Sequence, residues 1–151
     1  MRPARVPVGL QLTRTARAVG QAFDRQLGDA GGSLPIWLVL LNTKIRQRAS
    51  QRELAAAVGI TEATLTHHLN AMEADGLLTR RRHETNRRVH VVELTDAGEE
   101  AFVRLRDVAG RFDRGLRRNF DAEDLARLHE LLGRLAANVG AHGEMPGRWD
   151  R

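Results

Sequence analysis

The chain has 151 residues, 42% of them hydrophobic but only 4% aromatic, and a formal net charge of +5. That is the length of one ordinary domain with enough apolar material for a core, and a core of mostly Leu, Val and Ala suits packed helices better than a β-sandwich. Cysteine is absent, which excludes disulfides, thiolate metal sites and thiol redox sensing; no apolar run approaches the roughly 20 residues of a membrane span, and Met1 to Pro7 carry no signal-peptide pattern, so a cytoplasmic protein without a membrane partner is expected.

From Gly9 to Gly28 the apolar residues Leu12, Ala16, Val19, Phe23 and Leu27 recur at three- and four-residue steps, the mark of an amphipathic helix. Asp29 to Gly32 end it, and Ser33 caps a second helix with Pro35 in its first turn, where a missing N–H is harmless. Ile36, Trp37, Val39, Leu40 and Leu41 make this second helix largely buried. Ser50-Gln51-Arg52-Glu53 is a capping box that opens a short third helix, with Leu54, Ala55 and Val58 facing inward and Gly59 as its stop. Thr61 caps a fourth helix with Leu65, Leu69 and Met72 inside, closed by Asp75-Gly76.

The period then changes. Leu77, Leu78, Val89, Val91, Val92 and Leu94 flank an Arg-rich stretch from Arg80 to Arg88 with turn chemistry at Glu84-Thr85-Asn86, which predicts a two-stranded hairpin with a long basic tip. Thr95-Asp96 begin a long helix in which Ala101, Leu105, Val108 and Phe112 step by four, three and four. Asp121 caps a last helix, where Leu125, Leu128, Leu132, Leu135 and Val139 step by three, four, three and four. Both are heptad spacings, the seam of helices that pack along one another, and a seam that one short chain cannot easily cover predicts a homodimer. From His142 onward Gly, Pro and charge dominate, as in a loose tail.

Ala55, Gly59 and Leu65 form the strongest functional signal. A helix-turn-helix needs a small residue where its helices cross, a glycine for the tight turn, and an apolar residue six positions later to pack back. A basic hairpin directly after such a pair is the order of a winged helix. Arg makes up 23 of the 24 basic residues, and between Lys44 and His90 nine basic residues face five acidic ones. Arg suits bidentate contact with phosphate and guanine.

The segments Leu54 to Thr61 (LAAAVGIT), Leu69 to Arg80 (LNAMEADGLLTR) and Asn86 to Gly98 (NRRVHVVELTDAG) resemble the MarR family of bacterial regulators. The resemblance covers Leu12 to Val139. It implies a dimer built from the first and last two helices, a recognition helix in the major groove and a wing in the minor groove with Arg88 as its finger. It also implies a small-molecule pocket between the two regions. Two departures stand out: Asn86 replaces the usual wing Asp, and His67 replaces a common Arg within the recognition helix.

With Leu65, Leu69 and Met72 inside, geometry turns Ala63, Thr64, Thr66, His67 and Asn70 outward as candidate base-edge or phosphate partners. An ordinary solvated helix face is the plainer alternative. His68 is expected to be half-buried. Arg80, Arg81, Arg82, Arg87 and Arg88 line the hairpin as candidate DNA contacts. Phe23 and Trp37 are candidates for an effector pocket, although core packing is the commoner role of such residues. His67 and His68 are adjacent and cannot share a helical face; His129 and His142 have no partner at metal-ligand spacing. No metal and no cofactor are expected.

The expected architecture is mainly α with a small β-hairpin. Residues 33–94 form a winged helix-turn-helix, 8–32 and 95–143 long N- and C-terminal dimerisation helices, and 144–151 a flexible tail. The expected function is sequence-specific regulation of transcription through double-stranded DNA, with or without a small-molecule effector. A winged helix used for protein–protein assembly is the rival, but it has little need for a cationic wing. An enzyme is disfavoured, since no nucleophile–base pair, phosphate loop or metal cluster is present.

Overall fold

The computed structural model describes residues 6–47 and 49–140. In chain order its elements are α1 (Val8–Asp29), α2 (Leu34–Ile45), α3 (Gln51–Val58), α4 (Glu62–Ala74), β1 (Leu78–Arg82), β2 (His90–Leu94), α5 (Asp96–Leu116) and α6 (Ala122–Asn138). The expected mainly helical architecture with one hairpin is observed. The expected tail, residues 144–151, lies outside the described residues.

Two compact units divide within α5, after Ala109. In the first, α2 packs against α1, α3, α4 and β2. It is apolar on nearly all sides, with Trp37, Val39, Leu40 and Leu41 buried, as expected of a helix surrounded by others. Its two buried polar side chains bond back onto their own helix. Asn42 donates to the Leu38 carbonyl and Thr43 to that of Val39, each at 2.8 Å, so neither burial leaves an orphan polar group.

The expected caps are in place. Ser33 accepts from the Ile36 N–H, the Ser50–Glu53 capping box closes in both directions, and Thr61 accepts from the Thr64 N–H. The hairpin is antiparallel, with Leu78 opposite Leu94 and Arg82 opposite His90. Its strands extend through Arg82, so the tip is shorter than the Arg80-to-Arg88 stretch expected. Ser50 makes an isolated bridge to Val91, which ties the start of α3 to the hairpin.

The seam on α5 corrects an expectation. Ala101, Leu105 and Val108 are buried within the single chain. A β-carbon on Gly32 would lie only 2.7 Å from both Leu105 methyls, so Leu105 packs directly onto the loop after α1. That stretch needs no second copy. In the second unit, by contrast, α6 buries no residue: Leu128, Leu131 and Leu132 stand exposed, as does Val139 at its C-terminal cap. Asn119, at φ 70°, makes the turn before it.

Hairpin and α5 meet at one tight crossing. Thr95 Oγ1 donates to the Gly76 carbonyl at 2.5 Å and accepts from the Gly98 N–H at 3.1 Å, while the Thr95 N–H donates to the Leu77 carbonyl at 3.1 Å. Gly98 is required there because a β-carbon would sit 1.9 Å from the Leu77 oxygen.

Overpacking a well-filled site costs about 1–3 kcal/mol, and more where backbone must move. Gly98→Ala is therefore expected to destabilise the fold by at least that amount. Gly32→Ala meets only the flexible end of Leu105 and should cost distinctly less. Denaturant midpoints of the two variants check the order.

Candidate nucleic-acid interface

Helices α3 and α4 form a helix-turn-helix. Gly59 takes the left-handed conformation, φ 78° and ψ 31°, which a residue with a β-carbon adopts only at a cost. The N–H groups of Gly59 and Ile60 both donate to the Ala55 carbonyl, at 2.9 and 3.1 Å. Ala55 and Leu65 are buried, as the motif demands.

The candidate residues of α4 divide by what already engages them. Ala63, His67 and Asn70 are exposed, and their spacing of four and three places them in one stripe. Thr64 is also exposed, with its hydroxyl 2.9 Å from that of Thr61. Thr66 is turned into the motif instead: its hydroxyl accepts from Gln51 Nε2 at 2.6 Å and donates to the Glu62 carbonyl at 2.8 Å. His68 is half-buried, as expected.

The five hairpin arginines divide in the same way. Strand alternation puts Arg80 on the face of Leu78, opposite buried Val92, and so against α4. Its Nε and Nη2 donate to Glu73 Oε2 at 3.1 and 2.5 Å, and its backbone N–H donates to Glu73 Oε1 at 3.2 Å. The same Nη2 reaches Asn70 Oδ1 at 2.7 Å. The guanidinium hydrogen bonds hold the Glu73 carboxyl below the usual carboxylate range, against the opposing effect of burial. Arg81 lies 3.4 Å from Glu93, a diagonal cross-strand pair.

Arg82, Arg87 and Arg88 are exposed and form no ion pair among the described residues. The tip that carries the last two is tied by its own groups. His83 N–H donates to the Val89 carbonyl at 2.8 Å, Val89 N–H to that of Asn86 at 2.9 Å, and Arg88 N–H to Asn86 Oδ1 at 3.2 Å. Asn86 thus acts as a turn former. Arg88 and Arg52 line one cleft between hairpin and α3, with His90 and Ser50 beside them.

Trp37 is buried, its ring stacked at 5.8 Å on that of Phe102, and Phe23 is half-buried. Lys44, ion-paired with Glu99 at 2.9 Å, lies 5.6 Å above the Phe102 ring. Among the described residues no three His, Asp or Glu side chains are grouped to hold a metal ion, and no helix is long and apolar enough to cross a membrane.

Glu73 and Gln51 were not singled out by sequence. Alternation within β1 was the available signal for the first, because it sets Arg80 on the inner face; nothing in the sequence marks the Gln51 contact.

Residues 33–90 match the MarR family. The HTH-type transcriptional regulator BilQ of Clostridium symbiosum (strain WAL-14163) is 30% identical over 117 residues, 78% of this chain and 81% of its own. The HTH-type transcriptional regulator YdgJ of Bacillus subtilis (strain 168) is 29% identical over 129 residues, 85% of this chain and 77% of its own. Among solved structures, the transcriptional repressor CouR bound to a 23-mer DNA duplex superposes with a TM-score of 0.79 at 26% identity, covering 86% of this chain and 92% of CouR.

A carboxyl whose pKa is lowered by folding stabilises the fold above its unfolded pKa, and that contribution is lost as pH falls through the lowered value. Acidification below the ordinary carboxylate range should therefore loosen the α4–β1 junction. Glu73→Gln is expected to be less stable than wild type at neutral pH and to lose less on acidification. Urea midpoints measured from neutral to acidic pH test this; Glu53, lowered by its bonds with Ser50, supplies acid dependence that persists in the variant.

Proposed function

This chain belongs to the MarR family, and from that premise we propose that it is a sequence-specific DNA-binding transcriptional regulator that works as a homodimer on a pseudo-palindromic operator. One juxtaposition carries the proposal: the exposed stripe Ala63, His67 and Asn70 on α4 stands beside a hairpin whose Arg82, Arg87 and Arg88 have no carboxylate partner among the described residues. A helix with exposed polar side chains suits base reading, and unpaired arginines on a narrow ribbon suit phosphates and a minor groove. The DNA-bound state of CouR supports the same partner. A winged helix serving only protein assembly would gain nothing from three unpaired arginines.

The dimer is supported by α6. Its Leu128, Leu131 and Leu132, with Val139 at its C-terminal cap, are exposed apolar side chains, and such a surface on a water-exposed helix marks an interface. Sedimentation at micromolar concentration should give twice the chain mass. Footprinting should then show two symmetric half-sites about 10 base pairs apart. A monomer that still binds operator, or protection of a single half-site, contradicts the proposal.

Binding should weaken steeply with salt, because each neutralised phosphate releases counterions. Arg88→Ala is expected to cost about 1–3 kcal/mol if Arg88 enters a groove, and to lower the salt slope by about one unit if it touches only phosphate; Arg87→Ala should have the smaller effect. Titration of operator and random DNA at several salt concentrations, on variants whose mass is unchanged, separates these cases. Wild-type binding by both variants at every salt concentration would sink the wing's role in DNA binding.

A further inference from the structure

The contact between Arg80 and Asn70 fixes which way the Asn70 amide faces. A guanidinium has donors and no acceptor, so the Asn70 atom 2.7 Å from Arg80 Nη2 must be the carbonyl oxygen. The two ends of an asparagine amide are otherwise hard to tell apart; here the chemistry of the neighbour decides. Arg80 itself has little freedom to let go. Glu73 holds its Nε and Nη2, and also its backbone N–H, from the same helix that carries Asn70. The Arg80 side chain is only 19% exposed. Glu73, Arg80 and Asn70 form one chain of charge-assisted bonds, whose last member lies on the exposed stripe of α4.

We infer that Arg80 is a positioning residue that makes Asn70 a hydrogen-bond donor toward DNA, so that Asn70 selects guanine over adenine at the base it faces. The inference rests on the DNA-binding proposal above. An asparagine with both ends free pairs with adenine, accepting from N6 and donating to N7. With its oxygen held by Arg80, Asn70 presents its NH2 group. Guanine offers two acceptors to that group, N7 and O6; adenine sets its own N6 amino donor against it. The sequence alone gave Asn70 to the recognition helix and Arg80 to the wing, as separate candidate DNA contacts. The geometry makes them one unit, with Arg80 acting through Asn70.

The test is selection of bound sequences from random duplex DNA by the full-length protein, repeated with Asn70→Ala, Arg80→Lys and Arg80→Met. Asn70→Ala, a change at an exposed helix position, identifies the base pair that Asn70 reads. At that pair the wild type should favour guanine over adenine by about fivefold or more. Arg80→Lys keeps the charge and can pair with Glu73, but it lacks the fork that reaches Asn70. It should bring the two bases to within about twofold while leaving the remaining positions unchanged. Arg80→Met should do the same with an unaltered salt slope. A residue that merely supports the fold would lower affinity on all sequences and leave the profile as it was.

The inference is overturned if the wild type selects adenine at that pair, if Arg80→Lys leaves the preference intact, or if Arg80→Met lowers the salt slope as a lost phosphate contact would. Failure of the wild-type protein to select any sequence overturns the DNA-binding proposal itself, and is distinct from an unchanged profile in variants that bind.

Discussion

The Leu77 carbonyl is the point on which the hairpin turns. It accepts the Thr95 N–H and lies so close to the α-carbon of Gly98 that no side chain fits between them. Thr95 closes the same crossing from the other side by reaching the Gly76 carbonyl. These contacts join the end of α4, the start of β1, the end of β2 and the first turn of α5. The register follows, because Leu78 and Leu94 face each other immediately beyond the crossing. A one-residue slip would turn buried Leu78 and Val92 outward and expel them from the core. The wing is therefore set relative to α4 by a backbone contact, and its arginines inherit their positions from it.

That placement changes what the charge of the hairpin means. A string of arginines on paper is one basic patch. In space Arg80 is taken by Glu73 and Arg81 faces Glu93, which leaves Arg82, Arg87 and Arg88 as the outward charge. The two engaged residues brace the ribbon against α4 and across its own strands. Exposed ion pairs contribute little to stability, but the Arg80 pair is partly shielded and satisfies three donors at once, so it governs geometry more than charge.

Much of the fold was legible because it is written in local chemistry. Ser33, Ser50, Thr61 and Asp121 each announce a helix start, and Gly59 announces a left-handed turn. These depend only on neighbours within a few residues. The seam on α5 was misread because apolar spacing tells which face is covered, not what covers it. The first half of that face meets its own chain at Gly32, whereas the leucines of α6 remain exposed. Side-chain partners across elements were equally hidden. Nothing near Thr66 reveals that Gln51, fifteen residues earlier, takes its hydroxyl, and the Glu73–Arg80 pair exists only once the turn at Gly76 has brought strand back onto helix.

Asn86 lends the hairpin tip a further property. Its side-chain oxygen takes the Arg88 N–H and its carbonyl takes the Val89 N–H, while His83 closes the loop below. The backbone beneath Arg87 and Arg88 is thus already settled when the protein is alone. Ordering a loose loop on contact would cost about 1–2 kcal/mol for each residue fixed, and that loss would fall on the moment of encounter. In the DNA contact proposed above, a tip organised by its own amide would meet a groove with its backbone already arranged. On that proposal most collisions would present the arginines in a usable shape, and the speed of recognition would be set by orientation of the whole molecule rather than by folding of its fingertip.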